Sequence, residues 1–178
     1  MKRNVQLLSL MVLVIALGGC NERTDRQEGS VILSVTDFTG LPSRVSATQG
    51  PFNIGGITVA SIPKAPGSTG SNFQVVELRS YEVRYTRRDT GTRVPPPTVQ
   101  SVFGTISAGS SQVFNNLGFL FSDQVLNQPL RDLRDFGIDR ETGSAVVVLD
   151  VSIRFFGRTL SGDDVATEPA RFTIEVTQ

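Results

Sequence analysis

Three acids crowd one short stretch: Asp135, Asp139 and Glu141, within DFGIDRETG. With Asp163 or Asp164 nearby in space, their oxygens would suit calcium, a hard cation that takes about six to eight oxygen ligands. The spacing matches no EF-hand loop, so a solvated acidic loop is the simpler account. A second cluster is basic: Arg84, Arg87, Arg88 and Arg93, with Arg154 and Arg158 as possible neighbours. Such a patch would meet anionic lipid headgroups, a polyanionic glycan or an acidic partner. The simpler account is an exposed sheet face salt-bridged by Glu82, Asp89 and Asp150, since charge runs are usually solvated. Glu77, Glu82 and Asp150 would be the carboxylates for glycoside hydrolysis, which needs two acids flanking a cleft. Each sits on the polar side of a predicted strand. Tyr81 and Tyr85 read as packing residues rather than a stacking platform. The triplet Asp135-Phe136-Gly137 spells a kinase motif without its partners, and the glycine-rich pieces at 55–56 and 67–70 lack phosphate-loop spacing.

Composition narrows the chemistry further. The chain has no histidine, which removes serine–histidine and cysteine–histidine catalysis, histidine-containing zinc sites and histidine-based pH switching. Cys20 is the single cysteine, so no intrachain disulfide can form. Basic and acidic residues balance at 17 each. Without Lys2 and Arg3 the balance is 15 to 17, a net charge of −2. That near-balance argues against a nucleic-acid partner. No cofactor is expected, and an enzyme is the least favoured class.

Residues 1–20, MKRNVQLLSLMVLVIALGGC, have the layout of a secretory signal: a basic start, an apolar run, then small residues. The apolar run is about 13 residues, short of the roughly 20 needed to span a bilayer as a helix. The ending Leu17-Gly18-Gly19-Cys20 resembles the lipobox of bacterial lipoproteins. The resemblance covers these 20 residues and implies cleavage before Cys20, with acyl chains on that residue. Two or more chains hold a protein stably at a membrane. Asn21, rather than Asp, follows the cysteine, which by family analogy implies the outer membrane.

Residues 20–30 follow as a lipidated cysteine and polar tether reaching on the order of 15–20 Å. Residues 31–178 then read as one domain. Strands are expected at 31–38, 44–49, 73–88, 99–106, 112–120, 145–158 and 172–176. Residues 52–62 read as two strand pieces broken at Gly55-Gly56. Within 73–88 the apolar parity flips near Arg79-Ser80, which predicts a β-bulge. Residues 63–71 and 137–144 read as loops. Pro95-Pro96-Pro97 predicts a rigid extended segment. Residues 122–136 carry the one helical pattern, with Ser122 as cap and Leu126, Leu130 and Leu133 as the buried stripe; Pro129 would start or kink a turn, so one or two short turns of helix are expected.

About seven to nine short strands separated by turn residues predict an all-β antiparallel sandwich with one short helical crossover. The FFGRTLSGDDV hairpin leading into RFTIEV resembles the last two strands of immunoglobulin-like domains in bacterial envelope proteins. The antibody-type cysteine pair and core tryptophan are missing. The expected function is a lipid-anchored structural or protein-interaction subunit with an envelope protein partner. The alternative is a ligand-binding module for glycan or calcium.

Overall fold

The computed structural model describes residues 30–65 and 71–178. Two β-sheets pack face to face. The smaller has three strands in the order β1-β3-β6: β1 (Val31–Thr39), β3 (Phe52–Pro63) and β6 (Ser111–Leu120). The larger contains β2 (Arg44–Ser46), β9 (Ala170–Thr177), β7 (Val147–Thr159), β4 (Val76–Arg87) and β5 (Thr98–Ile106), in that order. The short β8 (Asp164–Ala166) continues the β9 side of β7. Ladders are antiparallel except for β2 on β9, which is parallel. The fold is all-β, mostly antiparallel and sandwich-like, with two short α-helices among the described residues.

Strand periodicity explains the layering. In β7, Val147, Leu149, Val151, Ile153 and Phe155 are fully buried while the alternate residues face outward, as successive side chains on a strand must. In β4 the register shifts between Leu78 and Ser80. The bulge returns Tyr81, Val83 and Tyr85 to the core side after Val76 and Leu78, as the parity flip predicts.

The two tyrosines of β4 fasten the sheets together. The Tyr81 hydroxyl donates to the Gly118 carbonyl of β6 at 2.9 Å. The Tyr85 hydroxyl lies against the Phe119 carbonyl and 2.8 Å from Gln124 Oε1. Burial raises both phenolic pKa values, with the hydrogen bonds from Tyr81 to Gly118 and from Tyr85 to Gln124 working against the rise. Both therefore stay protonated donors. Phe119 stacks edge-on against Phe172 with centroids 5.4 Å apart, extending the same inter-sheet contact. On the other side, Thr167 bridges the sheets: it exchanges backbone and side-chain hydrogen bonds with Phe155 and forms a parallel bridge to Leu33.

Three expectations change. Residues 52–63 form one strand, because Gly55 and Gly56 do not break it. They admit the close passage of the 39–40 backbone: a Cβ on Gly55 would meet the Thr39 carbonyl oxygen at 3.0 Å. The helical segment divides into α1 (Ser122–Val125) and α2 (Leu130–Phe136). Leu130 and Leu133 are buried, but Leu126 falls in the break and is 54 % exposed. Ser122 is the first residue of α1, not its cap. Gln124 does the capping, its Oε1 accepting from the Phe121 N–H at 2.8 Å. Gly137 ends α2 in a left-handed conformation that only glycine adopts readily.

Candidate functional site

Of the residues singled out by sequence, Arg87, Asp89, Arg93, Asp139 and Glu141 meet at one end of the sandwich, where β4 runs out into residues 88–97 and α2 into residues 137–146, while Asp164 lies at the other end beside Arg158. Their roles differ from either proposed chemistry. Arg87 has the same parity as Tyr81, Val83 and Tyr85, so it enters at the end of the inward row. Its side chain is 3 % exposed. Nε donates to Asp89 Oδ1 at 2.5 Å, and Nη2 to Asp89 Oδ2 at 2.8 Å and Asp139 Oδ2 at 2.9 Å. Nη1 reaches the Arg93 carbonyl at 3.3 Å.

The acids are equally committed. Asp139 accepts from the Thr142 hydroxyl at 2.8 Å and the Glu141 N–H at 3.1 Å. Asp89 accepts from the backbone of Gly91 and Val148. Burial alone would raise the carboxyl pKa of Asp139 and Asp89. Hydrogen bonds and charge from Arg87, with the other donors, outweigh burial and hold both below the ordinary range. Glu141 Oε1 accepts from Thr92 N and Oγ1, and Oε2 from Arg93 N, which lowers its carboxyl as well. Asp135 faces another way and pairs with Arg134 at 2.8 Å. Among the described residues, no group of three or more His, Cys, Asp or Glu gathers in a way that could hold a metal ion.

The basic residues do not form one patch. Arg87 is buried. Arg84 lies on the outer face of the large sheet, 2.8 Å from Glu82. Arg88 is exposed, bonding the Thr173 hydroxyl and lying 4.0 Å from Asp150. Arg93 donates to Gln128 Oε1 at 2.8 Å. Glu77 pairs with Arg79 at 3.7 Å. Glu77, Glu82 and Asp150 each lie beside an arginine, and Glu82 and Asp150 line the same groove on the outer face. This groove, of about 620 Å³, lies beside Arg84 and is also lined by Arg154 and Arg171.

What the arrangement does chemically is tie loops together. One buried guanidinium holds acids 2 and 52 positions away in sequence. The signal for Arg87's inward position was the strand parity itself. Nothing in the sequence marked Asp139 as its partner rather than a loop acid. Cys20 lies outside the described residues. The chain matches no known family model, no curated protein and no solved structure.

Proposed function

We propose that this protein is a lipid-anchored component of the bacterial cell envelope, held at the outer membrane through acyl chains on Cys20. It acts as a structural or protein-interaction subunit without catalysis of its own. Residues 1–19 are its signal peptide, and the domain is immunoglobulin-like in architecture. The observation that carries the reading is the ending Leu17-Gly18-Gly19-Cys20, which stands only ten residues ahead of Ser30, where the described sandwich begins.

The state of the candidate site supports an interaction role. Asp139, Glu141 and Arg87 are saturated by one another and by backbone, so they form a rigid support rather than reactive groups. What such a domain offers a partner is surface. Among the described residues, no helix is long and apolar enough to cross a membrane, so in this reading the lipid provides the attachment.

Replacing Cys20→Ser in the full chain should move the protein from the membrane fraction to the soluble fraction, and remove the diacylglycerol mass from the N-terminal peptide. Persistent carbonate-resistant pelleting of that variant would refute the anchor. Crosslinking of the tagged full-length protein in intact cells should then capture one dominant envelope protein. Recovery of glycan alone would favour a ligand-binding module, with the groove beside Arg84 as its place.

A further inference from the structure

The end of the sandwich nearest the anchor carries its own apolar contact surface, and we infer that it rests on the lipid bilayer. The inference builds on the lipid-anchor reading above and adds how the domain stands. Residue 30 emerges at the start of β1, where the Lys64 N–H bonds the Ser30 carbonyl. The same end holds the close of β3, the start of β4 and the turn after β7. Ile32 and Ile62 face each other across the β1–β3 ladder and are 50 % and 47 % exposed. Phe73 and Leu160 are 69 % and 52 % exposed, on neighbouring segments joined by the Ser161 N–H to Phe73 carbonyl bond. Two pairs of large apolar side chains thus stand in water at this end, one on each sheet, with the sheets joined there by the Leu33–Thr167 bridge and β8.

Length decides what covers them. Cys20 is ten positions before Ser30, a length of chain that spans at most about 36 Å whatever its conformation. The longest strand exceeds this: the 13 residues of β7 extend roughly 43 Å at about 3.3 Å each. The near end therefore stays within reach of the headgroup and upper acyl region. The far end, with Leu126 and Phe136, stands a strand length away. Tethering makes the contact intramolecular, at an effective concentration on the order of millimolar. A patch too small to bind membranes unaided is then sufficient. Charge contributes little, because Lys64, Arg79 and Arg158 are offset at this end by Glu77, Asp163 and Asp164. The contact is apolar insertion at the interface, indifferent to headgroup charge.

The test uses the lipidated full chain in zwitterionic phosphatidylcholine vesicles. Single variants Phe73→Cys and Leu160→Cys report the near end, and Leu126→Cys and Phe136→Cys the far end. Each carries an environment-sensitive fluorophore, and the wild-type chain shows any labelling at Cys20. Spin-labelled lipid should quench positions 73 and 160 by about twofold or more and leave 126 and 136 unquenched, unchanged by added salt. A chain that carries its lipid and sits on vesicles with no difference between the ends overturns this inference alone. A chain without diacylglycerol on Cys20 that stays off the vesicles overturns the anchor as well.

Discussion

Replacing Arg87→Met removes the cation that Asp139 and Asp89 share while keeping most of the aliphatic volume. Asp139 would be left with a side chain only 1 % exposed and two remaining donors, Thr142 and the Glu141 N–H. Removing one partner of a buried ion pair costs about 3–5 kcal/mol, because the other charge stays buried. Asp89 is 21 % exposed and keeps two backbone donors, so the lower figure of about 3 kcal/mol applies. For a domain of this size that is a fall of roughly 6–12 °C in Tm. Urea and thermal unfolding of the full chain, followed by circular dichroism, would measure it. Arg84→Gln is the control: the Arg84 side chain of the pair with Glu82 is 66 % exposed, so its loss should leave Tm close to that of wild type. The double variant Arg87→Met/Asp139→Leu should recover about half of the loss, since no acid is then left fully buried without its cation. The cost is also pH-dependent. Both carboxyls are held below their ordinary values in the folded protein. Their stabilisation is complete above the unfolded value near about 4 and drains away as pH falls through the folded values. The gap between wild type and Arg87→Met should be level above about pH 5 and close below about pH 4. An Arg87→Met protein as stable as Arg84→Gln, or a gap that widens in acid, would refute the reasoning.

Two further substitutions probe how the sheets are joined. Tyr85→Phe strips the hydroxyl from the Phe119 carbonyl and Gln124, and should cost about 1–2 kcal/mol by urea unfolding; a neutral result would mean the inter-sheet link adds nothing. Gly157→Ala would place a Cβ 2.6 Å from the Glu77 carbonyl oxygen of the paired strand, so it should destabilise by about 1–3 kcal/mol, with a Tm at or above wild type as the contrary outcome.

The sequence by itself determined the local, repeating features. Alternation named the buried face of β7 residue by residue, and the parity flip located the bulge between Leu78 and Ser80. These were legible because side-chain direction along a strand has period two and depends only on neighbours in the chain. The same period is consistent with an inward Arg87, yet the sequence alone sets it with Arg84 and Arg88 on the exposed face, because a charged residue at a strand end reads as surface until something is known to receive it. Tertiary structure decided everything that required distant segments to meet. It made β2 parallel to β9, kept β3 continuous by passing residues 39–40 over Gly55, and broke the leucine stripe at Leu126 by splitting the helix. Above all it brought Asp139 to Arg87 and Glu141 to residues 92–93, turning an apparent cation site into an internal fastening. The physical reason is that a carboxylate has the same composition and spacing whether it awaits a metal or an arginine. The choice is made by which loop the fold closes against it, and no local periodicity encodes that closure.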